Sequence, residues 1–450
     1  MGARGAMRLR ADALPAGRVR SRTRAESRSL RRGSLMAFVP GSAAPDIDEI
    51  RKCVHCGICL PQCPTYRVLG EEMDSPRGRI YLMRAAAEGR VGLTETFQRH
   101  IDLCLGCRAC ETACPSGVRF GSLLEATRAQ LRRSRSPARR RLLEAFVFSV
   151  FPEPVRLGLV LAAFKLYKRS GLRALGRASG ALRRLPSLAA MEALLDDVPA
   201  AIPMPEVVPA CGRLAGRVGL LTGCVQRHLY PHVNRDTARL LSLAGFEVVI
   251  PRGQGCCGAL ELHAGRPEAH AARARALAPA FPADLDFIVT NAAGCGAAMK
   301  EYGHRIPELA PFAGRVRDVT EVLAGADLRL GPLDLTVTYH DACHLVHGQR
   351  VRHEPRQLLG RIPGLRLVEL GDSELCCGSA GVYNLLEPEM ARELLDEKLA
   401  RIAETGARVV AAANPGCLLQ IAWGCRERGL DVAIVHPVEL LARAADAYQD

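Results

Sequence analysis

Eight cysteines in two short runs are the residues of this chain best suited to chemistry. Cys53, Cys56, Cys59 and Cys63 are followed by Pro64, and Cys104, Cys107, Cys110 and Cys114 by Pro115. Both runs read C-x2-C-x2-C-x3-C-P, and the second repeats the first at an offset of 51 residues in all four positions. Three closely spaced thiolates wrap a short loop around three irons of a cubane, while the fourth, at the start of a helix, points to the other cluster. On that rule one [4Fe–4S] cluster takes Cys53, Cys56, Cys59 and Cys114, and a second takes Cys63, Cys104, Cys107 and Cys110. The proline after each fourth cysteine turns the chain and offers no N–H. Paired C-x2-C elements also bind zinc, but zinc needs neither the third evenly spaced cysteine nor the trailing proline.

A second repeat lies further along. Cys224, Cys256-Cys257-Gly258 and Cys295 recur as Cys343, Cys376-Cys377-Gly378 and Cys417, at an offset that drifts from 119 to 122 residues. Each unit thus holds four thiols, enough for a further metal centre or a redox-active pair, with plain packing of a small hydrophobe as the third reading. Cys211 and Cys425 fall outside both repeats and read as structural. His340, Asp341 and His344 flank Cys343; an imidazole there could bind metal or lower the thiol pKa. The first unit has no histidine at the matching positions, so core or surface histidine is the default. No Gly-rich dinucleotide fingerprint follows a strand, no Ser–His–Asp set or paired-carboxylate motif stands out, and no catalytic residue is assigned.

The elements that must position these thiols follow from pattern. In the C-terminal half each cysteine follows a β-type run: Arg217–Leu221, Phe246–Ile250 and Phe287–Thr290, then Leu335–Tyr339, Leu365–Leu370 and Val409–Ala413. Helical patterns such as Arg235–Leu243 and Glu389–Ile402 lie between them, and a fourth strand-and-helix element recurs at Val319–Leu323 and Val438–Leu441. This alternation predicts two α/β units with parallel sheets. Loops at the carboxyl ends of parallel strands carry ligands, so three loops per unit can converge on one site.

The chain has 450 residues, 18 of them cysteine, with 48% apolar and 24% charged side chains. That is enough for several domains with real cores. Clustered cysteines without a preceding signal peptide argue against a secreted disulfide framework and for metal binding in a reducing compartment. The net charge of +14 is uneven. Residues 1–35 hold ten Arg against Asp12 and Glu26 and read as a disordered basic tail, with Met36 as an alternative start. A nucleic-acid-binding arm is the disfavoured reading of that tail. Arg132–Arg184 carries fourteen Lys or Arg against Glu144 and Glu153, interleaved with Phe146, Val147, Phe151, Leu157, Val160, Leu161 and Phe164. This predicts helices broken near Pro152 and Pro154, serving as a connector or as an amphipathic surface on anionic lipid. No apolar run approaches the length of a membrane span.

The expected architecture is therefore α+β overall. A basic tail (1–35) precedes a small ferredoxin-like or helical two-cluster domain (36–130) and a basic helical connector (131–210). Two duplicated cysteine-rich α/β units (211–330 and 331–450) follow.

At these residues the sequence resembles the glycolate oxidase (glycolate dehydrogenase) iron–sulphur subunits. The resemblance covers nearly all of Met36–Asp450. It is carried by Cys53-Val-His-Cys56-Gly-Ile-Cys59, Cys63-Pro-Thr-Tyr66, Asp74-Ser-Pro-Arg-Gly-Arg-Ile80 and Cys114-Pro-Ser-Gly117. Asn291-Ala-Ala-Gly-Cys295, Glu374-Leu-Cys376-Cys377-Gly-Ser-Ala-Gly381 and Asn414-Pro-Gly-Cys417 extend it. The C-terminal units also look like the cysteine-rich CCG domains of heterodisulfide reductase, which end each unit in C-x-x-C. Here Ala298 and Gln420 occupy the last position, which weighs against a non-cubane disulfide-reducing cluster.

The resemblance implies a cytoplasmic electron relay, at the inner face of the cell membrane, that carries no flavin itself. A flavin-bearing partner would oxidise glycolate or a related 2-hydroxy acid, and the electrons would leave through the two clusters to quinone or another acceptor. Rival readings are the iron–sulphur subunit of an anaerobic glycerol-3-phosphate or D-lactate dehydrogenase, a thiol/disulfide enzyme using the CCG units, and a scaffold with inert clusters. Nucleic acid is not an expected partner.

Overall fold

The computed structural model describes residues 38–39, 44–133, 138–170, 192–195 and 198–449. The basic tail of 1–35 and part of the connector lie outside the described residues.

Among the described residues no strand precedes Val207, so the two cysteine runs sit on a helical base. It comprises α1 (Ile47–Arg51), α2 (Pro64–Leu69), α3 (Pro76–Ala87), α4 (Glu95–Asp102), α5 (Ala109–Thr112) and α6 (Phe120–Arg133). Ile50, Ile80, Met83, Phe97, Ile101, Leu123 and Leu124 form its core. α3 begins where the sequence encodes a start: the Ser75 side chain accepts from Gly78 N and Pro76 fills the first turn, the pairing favoured at helix N-termini. Gly78 is required there, since a Cβ would stand 1.8 Å from the Glu72 carbonyl oxygen. α2 likewise starts at Pro64, directly after Cys63.

α7 (Ala138–Val150) and α8 (Pro154–Arg169) follow, broken at Pro152 and Pro154 as the sequence predicts and bent by 108°. No single described helix is long and apolar enough to cross a membrane. The inner face of α8, through Leu157 and Leu161, packs with Val150 and Val198 against Val225 and Leu229.

The C-terminal half forms two sheets. In the first, β1 (Val207–Val208), β2 (Gly216–Leu221), β3 (Phe246–Val249), β4 (Phe287–Thr290) and β5 (Val316–Asp318) lie in the order β1-β3-β2-β4-β5. Only β1 is antiparallel. In the second, β6 (Thr336–His340), β7 (Arg366–Val368), β8 (Val409–Ala412) and β9 (Ala433–Val435) run parallel in the order β7-β6-β8-β9. Central strands such as β8 are buried throughout, as strands covered on both faces must be. The strands fall where the β-type runs are. Val319–Leu323 and Val438–Leu441 turn out to be the helical part of the fourth element, each following a short strand.

The two units share a core. Val218, Leu240, Val248 and Val289 of the first pack in one cluster with Val337, Tyr339, Leu358 and Leu441 of the second. They also meet through their third cysteine loops, where Ala293 N donates to Ala413 O and Gly294 N to Asn414 Oδ1. The helix Ala293–Lys300 approaches the π-helix His344–Gln349 closely because Gly296 faces Gln349 and Gly348 faces Ala297.

Candidate metal centres

The local backbone wraps each cysteine run into a tight loop. His55, Gly57, Gly106 and Arg108 adopt positive φ, which folds the chain back so that the cysteines face inward. Cys53, Cys56, Cys59 and Cys114 line one cavity. Cys63, Cys104, Cys107 and Cys110 line a second. The second thus combines three cysteines of one run with the fourth of the other, and the first combines three of its run with Cys114 and Cys110, because α2 and the turn at Pro115 carry Cys63 and Cys114 across. Pro76, Phe120 and Cys110 line both cavities, which are therefore separated by little more than one side chain.

The chemistry of the donor set fits a polynuclear metal centre. Burial pushes the Cys59 thiol up to about 11 and raises Cys53. Cys107 and Cys110 rise far above the ordinary thiol value, first from burial and then from neighbouring thiols. Crowded thiols without a cation hold their protons; iron would supply the compensating charge and displace those protons. No disulfide joins any cysteine of the chain.

Two arginines of the Asp74–Ile80 segment frame the cavities. Arg79 is 0% exposed; its guanidinium bonds the Thr65 hydroxyl at 3.1 Å, the His100 carbonyl at 2.7 Å and Asp74 at 3.4 Å, and stands 3.9 Å from Cys63 Sγ. The Thr65 hydroxyl is 3.3 Å from the same sulphur. Asp74, 2% exposed, is shared with His100 Nδ1 at 2.9 Å. A cation and a hydroxyl beside a ligand sulphur are the means by which proteins tune cluster potentials. Arg77 bonds the His55 carbonyl at 3.1 Å at the edge of the other cavity and is paired with Glu72. In the sequence these residues stood out only through the resemblance; their roles depend on contacts that spacing does not encode.

In the two α/β units the three loops of each do converge. Cys224 Sγ lies 3.4 Å from Cys256 Sγ, and Cys257 hydrogen-bonds both Cys256 and Cys295. In the second unit Cys376 bonds Cys343 and Cys377, and Cys377 bonds Cys417. Hydrogen bonds from neighbouring thiols lower Cys256 in one unit and Cys377 in the other, while Cys224 and Cys257, and Cys376 and Cys417, are raised.

The second unit adds what the first lacks. His340, 1% exposed, places a ring nitrogen so that it and the Cys377 and Cys417 sulphurs all lie within 4.8 Å of one another. Cys377 hydrogen-bonds this imidazole as well as its neighbouring thiols. His340 is the core histidine of the default reading, set beside the thiols. Asp341 points elsewhere, held by Arg356 at 2.7 Å. Cys425 is buried in the same apolar cluster as Cys377 and Cys417, and Cys211 is exposed.

The helical base is docked on both units. Leu103 and Leu105 pack with Cys376 and Tyr383, with Cys107 and Cys343 at the edge of the same cluster. Tyr383 donates to the Leu103 carbonyl at 2.9 Å, and Thr112 meets His347 at 2.9 Å. Arg67 is paired with Asp372 and Glu397, and Arg305 with Glu125. The second cavity therefore abuts the thiol set of the second unit, whereas the first faces outward, with Cys56 exposed.

Two cross-completed cysteine runs beside a duplicated thiol-bearing α/β module define an iron–sulphur electron-transfer protein of the oxidoreductase kind. Residues 49–118 match the 4Fe-4S dicluster domain, 218–300 and 337–422 the cysteine-rich domain, and 139–195 the linker region of glycolate oxidase iron–sulphur subunits. The chain is 42% identical over 421 residues to a probable glycolate oxidase iron–sulphur subunit of Bacillus subtilis (89% of this chain, 95% of that one). It is 36% identical over 411 residues to the glycolate oxidase iron–sulphur subunit of Escherichia coli (88% and 94%). It also matches lactate utilization protein A of Oceanobacillus iheyensis, at 30% over 239 residues (50% and 96%). The chain belongs to the glycolate oxidase iron–sulphur subunit family.

Proposed function

We propose that this chain is the electron-relay subunit of a glycolate-oxidising complex. It would take electrons from a flavin-bearing partner and pass them through two [4Fe–4S] clusters towards quinone or another acceptor. The cross-completed cavities carry this reading: Cys53, Cys56, Cys59 and Cys114 would hold one cluster, and Cys63, Cys104, Cys107 and Cys110 the other. When bound, such clusters supply one-electron steps, which a two-electron flavin oxidation requires. The chain's own residues do the rest. The cysteine loops fix the spacing, Pro76 and Phe120 exclude water between the sites, and Arg79 with Thr65 stabilises negative charge at Cys63.

The layout supports a direction of flow. The exposed site at Cys56 suits entry from a partner, and the buried one beside Cys343 suits exit into the α/β units. We also propose that the second unit binds metal through His340, Cys377 and Cys417, with Cys343 and Cys376 adjacent. Cys224, Cys256, Cys257 and Cys295 have no such histidine and are a weaker candidate.

Anaerobic purification with iron and sulphide counts and EPR tests the cluster assignment. About eight irons per chain and two interacting signals are expected, with further iron assigning metal to the α/β units. Co-purification with a partner complex that oxidises lactate or glycerol phosphate and ignores glycolate would overturn the substrate.

A further inference from the structure

A cavity opens where α8, the first unit and the second unit meet. Its outer wall is apolar, formed by Phe151, Leu157 and Leu161 of the connector. Its inner wall is the thiol set of the first unit. Apolar cavities with a few convergent polar groups are the usual form of small-molecule sites.

Three polar side chains meet that description. Gln226 is 1% exposed, and neither its amide nitrogen nor its amide oxygen has a hydrogen-bond partner among the described residues. A buried amide left unpaired on both atoms is costly, and Gln226 lines the cavity, so its N–H donors point to a ligand carrying oxygen. The imidazoles of His263 and His344 stack at 4.7 Å and 12° on the same lining, and Nε2 of each is likewise unpartnered. Behind them lies the two-cluster domain: Arg128 binds the His263 carbonyl at 2.8 Å and the Cys104 carbonyl at 2.5 Å. A bound ring would therefore sit one histidine pair away from the Cys104–Cys110 loop.

The route of access narrows the ligand class. α8 presents its inner residues Leu157 and Leu161 to the cavity, while Val155, Leu159 and Leu166 on its other side are 67–77% exposed. Leu142 on α7 is 72% exposed, and Arg156 and Arg169 stand among these residues. Exposed aliphatic residues interspersed with arginine suit contact with anionic lipid. A ligand that enters past this helix is one that dissolves in lipid, has a flat apolar body and bears hydrogen-bond-accepting oxygens.

We propose that the cavity between α8 and the two α/β units binds a lipid-soluble quinone, with its ring against Leu157 and Leu161, a carbonyl oxygen accepting from the Gln226 amide nitrogen, and the free Nε2 atoms of the His263–His344 pair placed to accept from the hydroxyls of the reduced ring. This deepens the electron-relay reading and rests on it for function. Reduction there takes two electrons, delivered singly by the reduced iron–sulphur clusters, and two protons from solvent, one for each ring oxygen. The hydroquinone leaves by the same face.

Equilibrium binding of decylubiquinone to the full chain under anaerobic conditions, read by ultrafiltration, tests the site without turnover. Micromolar binding is expected. Leu161→Trp, which fills the apolar wall, and Gln226→Leu, which removes the polar contact, should each weaken it about tenfold, with the visible and EPR signatures of the clusters unchanged. Leu159→Ser, on the outer face, should leave decylubiquinone affinity unchanged and lower binding to phosphatidylglycerol vesicles. Wild-type chain that binds no decylubiquinone, variants that bind it as tightly as wild type, or displacement of the quinone by low concentrations of glutathione disulfide would overturn the proposal. Quinone binding by a chain with no iron would support the cavity and sink the relay, so the two failures are separable.

Discussion

Arg79→Gln is expected to lower the midpoint potential of the cluster at Cys63 while leaving the cluster at Cys56 nearly unmoved. The Arg79 guanidinium is fully buried and 3.9 Å from Cys63 Sγ. At an effective dielectric of about 20, a unit charge at that separation is worth about 4 kcal/mol, or about 170 mV for a one-electron couple. That is an upper limit, since the positive charge is spread over the guanidinium and partly answered by Asp74 at 3.4 Å. A shift of about 60–90 mV, a third to a half of the limit, is expected. The sign is fixed: reduction adds negative charge, so losing a cation disfavours it. Asp74→Asn should move the same cluster the other way and by less, because its carboxylate lies beyond the arginine. EPR-monitored redox titration of the two variants and the parent resolves the two signals. Equal shifts of both clusters, or shifts of the same sign in both variants, would refute the assignment of Arg79 to Cys63 and its cluster.

Cross-ligation makes a sharper genetic prediction: Cys114→Ser should abolish the signal of the cluster on the Cys53–Cys59 loop and spare the one on Cys104–Cys110, with Cys63→Ser doing the reverse. Loss of the signal on the substituted residue's own run would favour two independent loops. Burial holds both His436 and His347 at about 4, below the ordinary value of 6.5. Their contribution to stability is thus complete above about pH 6.5 and lost as pH falls towards 4, at up to about 1.4 kcal/mol per pH unit for each group. Urea midpoints between pH 7 and 5 should fall, and His436→Gln should flatten the slope. Gly378 has φ +86°, and a Cβ there would stand 2.5 Å from the Ala391 carbonyl. Gly378→Ala should therefore cost more than about 1 kcal/mol, seen as a lower thermal midpoint, and disturb the adjacent Cys376–Cys377 pair. An unchanged midpoint would mean that the helix Pro388–Thr405 shifts without cost.

Much of this protein was legible one residue at a time. A cubane's ligands must come from a tight loop, so their spacing is local; the fixed offset of 51 residues between the runs exposed the duplication directly. Strands buried on both faces read as short apolar runs, and all six predicted strands carrying a cysteine loop are present, within one or two residues at their ends. The break between α7 and α8 was likewise encoded, by Pro152 and Pro154.

Tertiary structure alone decided what surrounds the thiols. Arg79 and Asp74 form part of an ordinary-looking charged stretch, and only the packing of α3 against α4 makes them a buried pair beside Cys63. His340 ends a strand 37 residues before Cys377, and no local rule joins them; parallel pairing of β6 with β8 brings that strand end beside Cys417. The docking of the helical base on the second unit, which places Cys107 beside Cys343, depends on contacts such as Tyr383 with Leu103 across 280 positions. Sequence determined where the thiols cluster, because that spacing is set within a few residues. Their burial, their charged neighbours and the packing of one thiol set against another belong to long-range contacts, and those exist only once the chain has folded.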